Sequence, residues 1–256
     1  MVKVEEGGDA GVNKKPKPPI GRFALGVSIL VHLLLLLPVI YILEIAFENL
    51  NLFAWHPICM TLGAGLLIME GVYSISGEAV LNKRLSRLSR VRLHWISNTL
   101  GLALLITGFI IIVINKNINE WPHFTTTHSI FGLVTFILVC LVALFGILAN
   151  NAQWLYPRIR PALPKVIHAF FGMATMILLL VTLVLGTFSG WWYHVEASIT
   201  GRALVLAAYV IAALIILVKP IIGAIARTRM LKEKLTHLLS PKGERKDALL
   251  VERQLI

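Results

Sequence analysis

Six long apolar stretches alternate with short polar segments along this chain. They cover roughly residues 23–46, 52–76, 93–114, 124–149, 164–187 and 200–223, and a helical span needs about 20 consecutive, mostly apolar residues. The runs are continuous, unlike the short alternating segments of a transmembrane barrel. The pattern therefore predicts an all-α integral membrane bundle of six transmembrane helices. Residues 1–22 are polar, with several Lys, Pro and Gly, and read as a disordered cytoplasmic segment. They lack the form of a signal-peptide n-region, and no small-residue cleavage site follows. Residues 23–225 form the membrane domain. Residues 226–256 form a basic cytoplasmic tail, whose partly amphipathic start suits the lipid of the inner leaflet.

Charge fixes the orientation. With both termini in the cytoplasm, the inner segments hold 22 of the 24 Lys and Arg, and the outer ones only Lys116 and Arg202. Basic residues collect on the cytoplasmic side of spans. All six Trp, at 55, 95, 121, 154, 191 and 192, fall near span ends, where interfacial rings belong. Composition agrees: 57% of residues are hydrophobic and 14% charged, and mean hydropathy is +0.80. The net charge of +11 does not signal nucleic acid, because it lies in loops and tails. Cys59 and Cys140 sit in apolar runs, with no CxxC or CxxCH motif, so neither a disulfide framework nor a covalent haem link is expected.

Histidine is where candidate chemistry enters. Of eight, His194 and His237 fall in an outer loop and the tail. His32, in the first span, reads as a neutral packing residue without a partner at its depth. Four others open successive spans: His56 the second, His94 the third, His128 the fourth and His168 the fifth. An ionisable residue inside a span is costly and marks function by default. The topology places His56 and His128 near the outer face, and His94 and His168 near the inner face, so each pair can share one depth. Glycines follow at helical offsets: Gly132 and Gly172 four residues after their histidines, Gly63 and Gly101 seven after theirs. Such offsets return to the same helix face, where a missing side chain would let a flat macrocycle approach the backbone.

Two facing neutral imidazoles suit haem iron, which takes axial His ligands. Zinc wants four ligands, and neither face supplies the other two. A proton relay wants acids between the faces. Only Glu70 lies deep enough, and the arginines of 84–92 offer it a partner. Three readings remain open at this level: a haem-based electron carrier, a histidine-based proton or metal transporter without haem, and a haem-bearing membrane anchor of a quinone-linked redox complex. Neither unwound mid-span Gly/Pro pairs nor an inverted repeat is evident for the transporter. No flavin or nicotinamide motif is present, so electrons must come from a small molecule or a partner.

On "FAWHP" (53–57), "RVRLHW" (90–95), "HFTTTH" (123–128), "LYP" (155–157), "PKVIHAFFG" (164–172) and "ASITG" (197–201), the chain resembles the cytochrome b561 family of six-span di-haem electron carriers. Within it, the likeness is to the smaller cytochrome b561 domain-containing type. The resemblance covers about residues 45–205. It implies two b-type haems per subunit held in the core of helices 2–5, His56 with His128 on the outer haem and His94 with His168 on the inner one. It also implies a homodimer that oxidises cytosolic ascorbate and reduces monodehydroascorbate or a ferric chelate on the opposite face. Many members carry a second histidine four residues before the third-span ligand; here that position is Arg90.

Ascorbate is an anion at neutral pH, and guanidiniums beside the inner haem would concentrate it and hold it by charge-assisted hydrogen bonds. Arg92 and Lys165, two and three residues before their ligands, are the first candidates to meet haem propionates or donor. Arg87, Arg90, Arg158 and Arg160 follow as inner-face substrate residues, with Lys83 and Arg84 in the same run. On the outer face His123, five residues before His128, is the acceptor-side candidate, and Arg202 is a weaker one. Phe131, Phe136, Phe170 and Phe171 read as core filling that can also pack on the haems. With each ligand a turn inside a core of about 30 Å, the irons are expected roughly 15–20 Å apart.

Overall fold

The computed structural model describes residues 21–76, 85–195 and 198–239. Among these residues every regular element is a helix. Element α1 is Arg22–Glu48; the second span is α2 (Trp55–Met60), a π-helical stretch Thr61–Ile68 and α3 (Met69–Ser76). Then come α4 (Arg87–Ile118), α5 (Thr127–Asn150), a 3-10 turn Ala152–Leu155, α6 (Ala162–Gly186), α7 (Trp191–His194) and α8 (Ile199–Leu239). Among the described residues six helices are long and apolar enough to cross a membrane. Their outward faces carry exposed Ile110, Leu144, Ile147 and Leu214, the surface expected where lipid replaces water.

Two segments outrun the expected spans. The third helix begins at Arg87, capped by the Ser86 side chain on the Ser89 N–H, a favoured N-cap arrangement. The arginine run is therefore helical from Arg87 onward; Lys83 and Arg84 lie outside the described residues. The sixth helix runs 41 residues to Leu239, without a break at 225–226. At 1.5 Å per residue that is about 60 Å, twice the hydrocarbon thickness. Residues 1–20 and 240–256, most of the expected N-terminal segment and the end of the tail, lie outside the described residues.

Packing explains where a site can form. The second span packs on α4, and α5 on α6, as two close antiparallel pairs; α4 meets α5, and the π-helical stretch meets α6. These four form a square, with α1 and α8 packed beside it. Span 2 is diagonal to span 4, and span 3 to span 5. Short α7 follows the fifth span, and Trp191 and Trp192 on it are buried rather than interfacial as the sequence pattern suggests.

Candidate functional site

The structure brings the four histidines together as two pairs. The His56 and His128 ring centroids are 6.3 Å apart with an interplanar angle of 80°. Those of His94 and His168 are 6.2 Å apart at 84°. Each pair bridges a diagonal of the square, so the space between the rings lies on the axis of the four-helix core.

Backbone carbonyls set the rings. His56 Nδ1–H donates to the Gly108 carbonyl at 3.0 Å, His94 Nδ1–H to Gly71 at 2.9 Å and His128 Nδ1–H to Thr182 at 3.1 Å. The buried His168 Nδ1 faces the Val142 carbonyl without a hydrogen bond of full geometry. Spending Nδ1–H on a carbonyl leaves the Nε2 lone pair for a metal, the arrangement that orients metal-bound imidazoles.

The spacing fits iron between the rings. Half of 6.3 Å, less the roughly 1.1 Å from an imidazole centroid to its nitrogen, leaves about 2 Å, a metal–imidazole bond length. Among the described residues no group of three or more His, Cys, Asp or Glu can hold a metal. A two-ligand site suits haem, whose macrocycle fills the other positions. At the outer pair a largely apolar cavity of about 1320 Å³, open mouth included, touches His56, His128 and Gly132. Phe136 lines it, stacked on Phe109 at 4.6 Å.

The glycines divide into two kinds. A Cβ on Gly132 or Gly172 would meet only one side-chain atom within 4 Å, at 3.7 and 3.9 Å, so these two leave the room expected of them. Gly63 and Gly101 do not. A Cβ on Gly63 would stand 2.8 Å from the Gly101 carbonyl oxygen; this pair lets the second and third spans touch, and no macrocycle lies there.

Four other glycines, unmarked by the sequence reading, hold the ligands. A Cβ on Gly186 would lie 3.1 Å from the His128 ring, and one on Gly146 3.1 Å from the His168 ring. Gly71 and Gly108 supply the carbonyls for His94 and His56. Their signal is an offset. Gly146 and Gly186 each come 18 residues after the histidine of their own span, which is five helical turns. Histidine and glycine therefore mark opposite ends of one face, and in an antiparallel pair each ring lies against its neighbour's glycine. Gly108 comes 14 residues after His94, but Gly71 comes 15 after His56. The extra residue falls after Gly63, within the π-helical stretch, the kind of bulge that inserts one residue without breaking a helix. These offsets put the two pairs about 20–27 Å apart along the helices, farther than the 15–20 Å expected.

The basic candidates separate by face. Arg87, Arg90 and His94 recur at helical spacing on α4, and the partly buried Arg90 keeps its Nε unpaired. Arg92, two residues from His94, points to the far side and is exposed. Lys165 is exposed near the start of α6, and Arg158 and Arg160 in the preceding loop. At the outer end His123 and Lys116 both line the cavity mouth. His123 Nε2 bonds Asn117 Oδ1 at 2.8 Å, and Lys116 donates to the Pro122 carbonyl at 2.7 Å. Lys116 was missed, because it reads as a topology charge. Arg202 stacks on Phe188 at 5.3 Å and on Tyr193 at 5.6 Å. His32 has a partner after all: its Nδ1 lies 2.7 Å from Glu70 Oε1, so Glu70 meets His32 rather than the arginines.

The family model for eukaryotic cytochrome b561 matches residues 55–193, which contain all four histidines. The chain belongs to the cytochrome b561 family. It is 32% identical over 190 residues to the transmembrane reductase CYB561D2 of Mus musculus, covering 73% of this chain and 81% of that protein. It is 33% identical over 194 residues to the probable transmembrane reductase CYB561D1 of Homo sapiens, covering 75% and 83%. A more distant similarity, 25% over 139 residues and covering 53% and 54%, is to the lysosomal membrane ascorbate-dependent ferrireductase CYB561A3 of Mus musculus. As a cytochrome b561 the chain is a multi-pass membrane oxidoreductase that carries electrons on haem b. That replaces the haem-free transporter reading.

Proposed function

We propose that this cytochrome b561 holds two haems b per subunit, each between two histidines, and passes single electrons from cytosolic ascorbate to an acceptor on the far side. His56 and His128 hold the outer haem; His94 and His168 hold the inner one. The carrying observation is the pair of ring separations, 6.3 and 6.2 Å, at opposite ends of one core. The haems supply one-electron chemistry when bound; the chain's residues bind, orient and exclude water.

Both termini face the cytosol on this reading, and the arginines stand where an anionic donor approaches. Arg87 and Arg90 share the His94 face, and Arg158, Arg160 and Lys165 add charge from the loop and the start of α6. Their field raises the local concentration of ascorbate. Arg92 takes the flank of the site. Ascorbate monoanion gives up one electron and one proton to become monodehydroascorbate. On the outer side His123 and Lys116 stand at the cavity mouth, placed to meet monodehydroascorbate or an anionic ferric chelate. The name of the CYB561A3 relative, an ascorbate-dependent ferrireductase, supports both donor and acceptor class. The assembly is read as a homodimer in lipid.

The absorption spectrum of purified protein, before and after ascorbate and then dithionite, tests the proposal. A reduced b-type band with two haems per chain is expected. A band that dithionite raises and ascorbate does not would overturn the donor. His56→Ala and His94→Ala should lose different haems; loss of the same one would overturn the pairing.

A further inference from the structure

The contact between His32 and Glu70 has no part in holding a haem or a donor. It joins α1 to α3 inside the membrane, Nδ1 to Oε1 at 2.7 Å. Glu70 lies six residues before the end of α3, about 9 Å of helix. Charged groups at such depth are rare and mark proton relays or counter-ions. Both side chains are partly buried, and the His32 ring lies edge-on to Tyr73 at 5.6 Å. His32 Nε2 is buried and has no hydrogen-bond partner. In the neutral imidazole, with Nδ1–H donated to the carboxylate, Nε2 is a free basic site and the pair carries one negative charge.

Glu70 also adjoins the residue that orients His94. The next residue is Gly71, whose carbonyl takes the His94 Nδ1–H at 2.9 Å and the Ser74 hydroxyl at 2.7 Å. A change of charge at Glu70 is one peptide unit from the group that orients His94. Other titratable or charged groups on the packed elements include Arg22, Tyr41, Glu44 and Glu48 on α1, Tyr73 on α3, Arg87, Arg90, Arg92, His94 and Lys116 on α4, and Arg202, Tyr209 and Lys219 on α8.

We propose that His32 and Glu70 form a redox-linked proton site: the pair takes up one proton when the inner haem is reduced and releases it when that haem is oxidised. The inference rests on His94 and His168 being the inner ligands. An electron arriving there adds one negative charge in a medium of low dielectric, where charges interact strongly. Protonation takes the pair from one negative charge to none and offsets the arriving electron. The donor furnishes both particles, since ascorbate monoanion loses one electron and one proton together. Balance is kept: one electron to the iron, one proton to the pair.

The test is spectroelectrochemical titration of the purified holoprotein between about pH 5 and 8, where imidazole changes charge. The inner component is identified as the one missing from His94→Ala. Its potential should fall as pH rises, by up to tenfold in the redox equilibrium per pH unit, about 59 mV. The outer component should respond less. Glu70→Gln and His32→Gln should each flatten the inner slope while both haems are retained. Redox-difference infrared spectra should show imidazole bands that shift in D2O and vanish in His32→Gln, together with a perturbed carboxylate band that vanishes in Glu70→Gln. A purely structural contact would produce neither effect. A flat inner potential in the unmodified protein overturns the proposal, as does an unchanged slope in the variants. Should Glu70→Gln fail to fold, the unmodified protein and His32→Gln still decide. A protein with no inner haem at all refutes the ligand assignment and the proposal with it, and haem content tells that result apart from a flat slope.

Discussion

Gly146→Ala and Gly186→Ala form a matched pair of perturbations. Each adds one methyl group 3.1 Å from the Cε1 of a ligand ring, that of His168 for Gly146 and that of His128 for Gly186. Ordinary carbon–carbon contact begins near 3.5 Å, so the ring or the helix must give by about 0.4 Å. A ring bound to iron has little such freedom, because metal–ligand distances hold to about 0.2 Å. Disturbing groups that orient a metal-bound histidine typically costs 10–100-fold in affinity, or about 1.4–2.7 kcal/mol. Without haem the sign reverses: Gly to Ala inside a helix gains about 0.5–1 kcal/mol, and the free ring can swing away. Gly146→Ala should thus weaken the inner haem alone and Gly186→Ala the outer alone, while the haem-free protein is no less stable. Haem per chain and a two-component potentiometric titration read the first effect; thermal unfolding of haem-free protein reads the second. Gly26→Ala, whose Cβ meets nothing within 4 Å, is the control. Equal retention of both haems, or loss of the same haem in both variants, would refute the reasoning.

Gly63→Ala should lower the melting temperature with or without haem, because its Cβ meets the unyielding Gly101 carbonyl at 2.8 Å; overpacking of this kind costs about 1–3 kcal/mol. Thr135→Val removes the hydroxyl contact to Thr182 at 2.9 Å and should cost about 1 kcal/mol in thermal or denaturant unfolding, with haem content unchanged. Arg90→Gln should raise the KM for ascorbate severalfold more than Arg92→Gln does, with kcat nearly kept, because Arg90 lies on the His94 face. Equal effects from the two arginines would remove the facial argument.

How much was legible follows from what each feature depends on. The spans, their count and the pairing of the histidines depend on local apolarity and chain direction, which sequence carries directly. Contacts between spans depend on register, which it carries weakly. His32 and Glu70 show why. Counted from the inner ends of their spans, His32 lies about 15 Å deep and Glu70 about 9 Å, and by Cα depth alone they do not meet. Helical side chains, however, lean toward the N-terminus of their own helix. The first and second spans run in opposite directions, so the two side chains lean toward each other and the gap closes. Gly63 and Gly101 show the opposite error: their phasing to the histidines was real, but a glycine serves a close helix contact as readily as a cofactor. Only a three-dimensional register, including the extra residue of the π-helical stretch, separates those two from Gly146 and Gly186. The same register makes the site more than four ligands. Two antiparallel pairs each place a histidine at one end of a face and a glycine or its carbonyl at the other, so each pair supplies half of both sites. A shift of one residue between the second and third spans would misalign His56 with Gly108 and His94 with Gly71 together. That coupling ties the geometry of the inner and outer sites to the packing of the same two helices.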